Sequence, residues 1–262
     1  MTILKRHDTG AIAHLTMNAP EKLNALSDEM LAALEAQVET LMHDSSIKVV
    51  ILSGAGKAFC AGHDIKQMNN ARDSPDNGKA NFQDLFARCT SVMTGLQKLP
   101  QVVIAQVHGI ATAAGCQLVA SCDLAVATED TKFGVNGVSI GLFCSTPMVA
   151  LSRNIPRKHA LELLTTGNFM TAHRAAELGL INHAVPNDDL KSATLLLANT
   201  IADKLGSALK IGKHAFYQQL EMPLDKAYAF TGNVIVENLL HQDTIEGMNA
   251  FVEKRQPSWQ KD

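Results

Sequence analysis

Long apolar runs are missing from this 262-residue chain. No stretch approaches the ~20 residues that a membrane-spanning helix needs, and the N-terminal MTILKRHDTG lacks the apolar core of a secretory leader. An excess of one charge is missing too: 23 Lys and Arg against 26 Asp and Glu leave a formal net charge of −3. Because the basic residues are scattered rather than striped, nucleic acid is excluded as the main partner, while a local patch for a small phosphorylated ligand is allowed. Paired CxxC motifs are absent. Cys60, Cys89, Cys116, Cys122 and Cys144 are odd in number and irregular in spacing, which gives neither a disulfide framework nor a metal site. Fixed-period repeats and low-complexity tracts are also missing. What these absences leave is a protein off the membrane, with reduced thiols and an expected cytoplasmic location. Its length suits one large α/β core with an appendage.

What is present alternates between strand and helix. Ala11 to Met17 reads as a strand, Ser27 as the cap of a helix carrying Leu31, Leu34, Val38 and Leu41, and Lys48 to Leu52 (KVVIL) as a buried strand. In GKAFCAGHDIKQM, Gly62 permits a sharp turn, and Asp64 with Gln67 resembles a capping box. His63 then sits at the threshold of a helix, and its backbone amide is a candidate unpaired donor. Residues 69 to 80 are polar and aperiodic and predict a surface loop, and Phe82 to Leu96 predicts a strong helix.

The stretch from Val107 to Asp130 passes from a strand through the small residues Ala113, Ala114 and Gly115 into a helical segment ending near Cys122, then into a strand at Asp123 to Thr128. So little side-chain bulk lets a ligand approach the main chain. A helix that begins there offers amides without intrahelical acceptors and a partial positive charge, which suits an anion or a developing oxyanion. Further on, Thr171 caps AHRAAELGL and Gly179 ends it, and Leu180 to Val185 predicts a short strand. From Asn187, read as a cap, the chain is nearly continuous helix, with Gly212, Pro223 and Gly232 as candidate breaks.

FCAGHDI and HGIATAAGCQLVASCD, with NAPEKLNAL near the start and EGMNAFVEKRQP at the end, resemble the crotonase family, the enoyl-CoA hydratases and isomerases. The matches run in family order over nearly the whole chain. The FCSTP segment and Gln117 resemble, within it, the mitochondrial enoyl-CoA-hydratase-domain-containing proteins and their bacterial relatives. The resemblance implies an α/β crotonase-like spiral of ββα units over residues 1–186 and a helical C-terminal oligomerisation region over 187–262. It also implies a homotrimer or a dimer of trimers, and an acyl-CoA thioester as ligand, with no cofactor beyond the CoA moiety.

By position, the family's two oxyanion-hole amides fall on His63 and Ala114; the His63 side chain could serve as a general acid or base beside the thioester, but is expected instead to point away and fill space. The family's CoA contacts fall on Lys22, Ala25, Ala61, Asp64 and Ile65, with Phe251 and Lys254 from the C-terminal helix. The two glutamates of the hydratases fall on Gln117 and Gly137. Glutamine cannot exchange a proton near neutral pH and glycine has no side chain. General acid–base help is worth on the order of 10² to 10⁴ in rate, so an ordinary hydratase mechanism is not expected. Cys144 and Ser145 lie near the reacting end of the acyl chain as substitute candidates. Cys144 reads as a buried structural thiol, since no sequence neighbour activates it. A non-catalytic acyl-CoA binder or regulatory oligomer is the alternative to an enolate-stabilising enzyme.

Overall fold

The computed structural model describes residues 2–259. Strands β1 (Leu4–Thr9) and β2 (Ile12–Met17) form an antiparallel hairpin. Helix α1 (Asp28–Met42) follows, its Met30 amide donating to the Ser27 hydroxyl at 3.3 Å, as a serine cap should. Next come β3 (Val49–Gly54), α2 (Ile65–Ala71), α3 (Lys79–Lys98), β4 (Val102–Val107), β5 (Ile110–Thr112), α4 (Ala114–Ser121), β6 (Leu124–Thr128) and β7 (Lys132–Gly134). The chain continues through α5 (Ser145–Asn154), α6 (Arg157–Thr166), β8 (Met170–Thr171), α7 (Ala172–Leu178) and β9 (His183–Val185). It ends in α8 (Leu190–Ala202), α9 (Gly206–Gln219), α10 (Leu224–Leu239) and α11 (Gln242–Val252).

The larger sheet has the order β1-β2-β3-β4-β6-β9, parallel from β2 onward. The smaller has the order β5-β7-β8, and a bridge from Cys60 to Ala111 extends its layer toward the segment after β3. Each winding therefore adds one long strand to the first layer, one short strand to the second, and then a helix. That is the expected spiral of ββα units. Along β3, Val50 and Leu52 enter the main core with Leu31, Leu34, Val92 and Leu96, while Val49 and Ile51 face the other way, against Ala198 of α8. Burial on both faces explains why KVVIL carries no polar alternation.

Several local expectations are corrected. Asn69 to Ala71 complete α2 and Lys79 starts α3, so the loop between them is shorter than residues 69 to 80. Ser74 and Asp76 organise that loop by accepting from the Gly78 amide at 2.9 and 3.1 Å. Asn187 caps no helix: it begins a 3-10 turn and donates to Asp130 at 3.0 Å. Gly212 and Gly232 lie inside α9 and α10 without ending them, whereas Pro223 does sit at a helix start. The β1 strand was not anticipated, because its LKRHDT sequence is an exposed sheet edge with little apolar pattern.

A buried ion pair fastens the helical region to the sheet. Lys213 on α9 donates to Asp123 at 2.6 Å and to the carbonyls of Leu96 and Gln101 at 2.9 and 2.7 Å. Asp123 also accepts from the Val103 amide at 2.6 Å and from the Tyr217 hydroxyl at 2.8 Å. Burial pushes the Asp123 carboxyl up and the Lys213 ammonium down, in each case against the pull of the partner. Desolvation of this size makes such a pair weak as a net stabiliser but costly to break on one side. Lys213→Met is expected to lower stability by about 3–5 kcal/mol in urea unfolding. The Asp123→Asn, Lys213→Met double variant should recover part of that loss.

Candidate functional site

Two turns meet at the end of the spiral where α2 and α4 begin. The first is held by the EKLNAL loop, where the fully buried Asn24 donates to the carbonyls of Ala55 and Ala58 at 2.8 Å and accepts from Ala19 at 3.0 Å. From that loop Leu23 accepts from the Ala61 amide at 3.0 Å, and Leu26 donates to Gly62 at 2.7 Å. The second bond belongs to a parallel bridge between Leu26 and His63. In such a bridge the residues flanking His63 make the hydrogen bonds, and the His63 amide faces away from Leu26. Asp64 then caps α2, accepting from Lys66 at 3.0 Å and Gln67 at 3.2 Å.

The second turn joins β5 to α4 through Ala113, whose φ of 50° and ψ of −120° are unusual for a residue with a side chain. Such a conformation costs about 1–3 kcal/mol and persists only when its surroundings dictate it. Here the Ala113 amide donates to Gly134 at 2.9 Å, and its carbonyl accepts from Gln117 at 3.1 Å. Ala114 follows as the first residue of α4, with no intrahelical acceptor for its amide. Gly62 has φ +91°, and a Cβ there would lie 2.9 Å from the Ala113 Cβ and 3.3 Å from the Ala114 nitrogen. A Cβ on Gly115 would meet the Cys60 carbonyl at 2.2 Å. The turns thus touch main chain to main chain.

A cavity of about 520 Å³ opens over this contact. It brings together Ala61, His63, Ile65, Ala114, Cys144 and Ser145 of the residues singled out in the sequence. Met68, Phe86, Leu142 and Phe143 supply apolar wall that the sequence did not reveal, since helix periodicity marks a buried face but not a hollow. Polar groups are few. The Thr112 hydroxyl donates to Asn136 Oδ1 at 2.7 Å, and both residues line the cavity. The His63 ring packs edge-on to Phe86 with centroids 5.5 Å apart. Its Nδ1 lies 3.5 Å from the Leu26 carbonyl, and its Nε2 is buried without a hydrogen-bond partner among the described residues. Burial lowers its pKa. Burial likewise pushes the Cys144 thiol up, and Ser145 makes only a long 3.4 Å contact to the Phe143 carbonyl. Neither carries the mark of an activated nucleophile.

Gln117 does not join the wall. It is buried within α4, three residues beyond Ala114, and its Oε1 has no hydrogen-bond partner among the described residues. Gly137 does line the cavity, but a Cβ there would lie 2.2 Å from the Leu142 carbonyl and 2.8 Å from Cys144 Sγ. Of the expected CoA contacts, Lys22 pairs with Asp64 at 3.4 Å beside the first turn. Ala25 is buried in the EKLNAL loop. Phe251, 85% exposed, and Lys254 lie on and just after α11, away from the cavity within one chain. Among the described residues no cluster fit to hold a metal ion occurs, and no helix is long and apolar enough to cross a membrane.

With a ββα spiral and two touching turns beneath an apolar cavity, the chain belongs to the enoyl-CoA hydratase/isomerase family, whose pattern matches residues 7–262. It is 42% identical over 259 residues to the Xenopus laevis protein named enoyl-CoA hydratase domain-containing protein 3, mitochondrial, covering 99% of this chain and 86% of that one. A crystal structure of human enoyl-CoA hydratase domain-containing protein 3 superposes with a TM-score of 0.93 at 40% identity, covering 98% of this chain and all of the other. One of an enoyl-CoA hydratase from Mycobacterium smegmatis gives 0.94 at 48% identity, covering 98% of each. The cytoplasmic expectation is corrected by these relatives, since the frog, mouse and human proteins are all named mitochondrial. Free thiols, on which that expectation rested, do not distinguish the two compartments.

Gly137→Ala is expected to destabilise by about 1–3 kcal/mol, because the added carbon overpacks the loop, read as a lower denaturation midpoint. A second outcome concerns pH. The buried His63 ring takes up a proton at lower pH than the value of 6.5 expected once exposed. The unfolded chain therefore binds more protons between those two values, and stability rises with pH across that window. His14, also lowered chiefly by burial, adds to the same slope. His63→Gln should flatten part of the fall in stability below about pH 6.5, measured by urea midpoints across pH 5 to 7.

Proposed function

We propose that the cavity binds the acyl end of a CoA thioester and that the amides of His63 and Ala114 receive the thioester oxygen. The observation that carries this reading is the contact between the two turns, with Gly62 against Ala113 and Ala114 beneath the cavity. Two fixed donors in a site with apolar walls stabilise negative charge as an enolate forms, and removing one such donor commonly costs about 3 kcal/mol of transition-state stabilisation. They need no reorientation, because the hydrogen bonds around both turns hold the backbone before any ligand arrives.

The walls suit an acyl chain, and the Lys22–Asp64 pair beside the first turn places a cation where a phosphate-bearing carrier would pass. Two-carboxylate hydration does not fit the site. Gly137 is closed to any side chain, and Gln117 offers no proton. The activity proposed is enolate chemistry of an acyl-CoA thioester that does not depend on that glutamate pair. The apolar residues exposed on α10 and α11, among them Leu224, Tyr228, Ile235 and Phe251, suit burial in a homotrimer or a dimer of trimers. That assembly is the place from which Phe251 and Lys254 would reach a neighbour's CoA.

A saturating medium-chain acyl-CoA should raise the midpoint of thermal unfolding, as ligand linkage requires. Gly62→Ala, which combines an unfavourable φ with a clash into the second turn, should abolish most of that shift. An unshifted midpoint at millimolar thioester would remove the acyl-CoA reading. Retention of the shift with loss of all turnover on a thioester panel would favour the non-catalytic binder, whose basis is the same pair Gln117 and Gly137.

A further inference from the structure

Resting on the acyl-thioester reading, we infer that Asn136 sets the substrate class of this site, its side-chain amide donating to a ketone oxygen carried on the acyl chain close to the thioester. The path of the chain puts Asn136 beside the second turn. Strands β5 and β7 run parallel with Thr112 opposite Gly134, and the Ala113 amide donates to the Gly134 carbonyl at 2.9 Å. Asn136 lies two residues beyond Gly134, as Ala114 lies two residues beyond Thr112. It opens the 3-10 turn Asn136–Ile140, and its side chain reaches back to Thr112.

That side chain is held at one end. The Thr112 hydroxyl donates to Oδ1 at 2.7 Å, and Thr112 is itself buried in the cavity wall. The bond fixes which way the amide lies, with Oδ1 engaged and Nδ2, carrying two N–H groups, as the open end. Nδ2 has no acceptor among the described residues, and Asn136 is a half-buried residue that lines the cavity. Nor is Nδ2 sealed by packing as His63 Nε2 is, for it is not among the buried nitrogens and oxygens that lack a partner. A donor that is unpaired and open is hydrated in the free protein. An acyl chain that fills the cavity displaces that water, and both N–H groups go unmatched unless the chain itself brings an acceptor.

The surroundings select the acceptor. A carboxylate is disfavoured, because among the described residues the lining has no lysine or arginine to pair with it. A hydroxyl needs an acceptor for its own hydrogen as well as a donor, yet Oδ1 is already taken by Thr112, and Met68, Phe86, Leu142 and Phe143 make the nearby wall apolar. A ketone oxygen accepts only, with two lone pairs, and so matches a group that donates only. The Ser139, Ser145 and Thr146 hydroxyls also line the cavity, but each can rotate to donate or to accept and imposes no such choice. Asn136 is therefore the lining side chain with a fixed preference, and it acts on the chain while the two backbone amides act on the thioester.

The test uses the full-length protein and measures dissociation constants by calorimetry for octanoyl-CoA, 3-oxooctanoyl-CoA, 3-hydroxyoctanoyl-CoA and the ω-carboxylated octanedioyl-CoA. Native protein is expected to hold the 3-oxo thioester about 10-fold tighter than octanoyl-CoA, as one hydrogen bond to an otherwise unmatched donor allows, and tighter than the other two. Asn136→Leu, close in volume, should reverse the preference by weakening the 3-oxo thioester and strengthening octanoyl-CoA, a crossing that a merely structural role does not produce. Asn136→Asp keeps the acceptor for Thr112 and removes both donors, so it too should lose the preference, and it reads the same property if the leucine variant fails to fold. A native constant for the 3-oxo thioester within threefold of that for octanoyl-CoA, a native preference for the hydroxy or dicarboxylic thioester, or a 3-oxo preference that survives in either folded variant overturns the assignment while leaving the acyl-CoA reading in place. Failure of native protein to bind any of the four overturns both.

Discussion

Everything at the proposed site depends on two stretches of main chain touching. The turn after β3 and the turn after β5 come together because Gly62 and Gly115 present no side chain at the contact, and a carbon at either position would overlap the opposite turn. Sheet geometry sets up the approach: β3 and β4 are parallel neighbours, so the segments that leave them emerge on the same edge. The Cys60–Ala111 bridge then carries the pairing into the second layer and delivers both helix starts to one spot. Strain at Ala113 is tolerated because that residue is held from both sides, and it fixes the direction in which α4 begins.

The cavity above the contact is notable for how little charge it holds. Among the described residues its lining has no carboxylate, lysine or arginine, and the titratable side chains there are a histidine with lowered pKa and a thiol with raised pKa. In the reading proposed above, the two main-chain amides are the dominant electrostatic feature of such surroundings, since nearby apolar walls do not screen them. Charge appears instead where it fastens the architecture. Asp123 and Lys213 tie α9 to the sheet, so the helices that carry exposed apolar residues are anchored to the strand pair next to the site.

Much of this architecture was readable from residue pattern. The apolar β3 and β4, the Ser27, Asp64 and Thr171 caps and the stop at Gly179 all follow from local rules, and the structure places them accordingly. The two glycine turns could be recognised one by one, while their contact is a tertiary fact that no local signal contains. The same limit hid the cavity walls and the Asp123–Lys213 pair, whose members lie 90 residues apart. Asn187 and the two interior glycines misled for the opposite reason: a local preference was present, and packing of the surrounding helices overrode it. Gln117 is buried within α4, and its sequence position alone does not reveal that its Oε1 lacks a hydrogen-bond partner among the described residues.

Gly137 has a consequence for how such a protein can change over time. A glycine codon can be one base away from a glutamate codon, yet here the distance in structure is much greater. The Leu142 carbonyl and Cys144 sulfur already occupy the space a side chain would need, and the Leu142 amide is bonded back to the Gly137 carbonyl at 2.9 Å. A carboxylate could enter only after the 137–144 loop had first been rebuilt by other substitutions, each of which must be tolerated before the carboxylate gives any benefit. The loop therefore stands as a barrier in sequence space between this chain and a carboxylate at position 137.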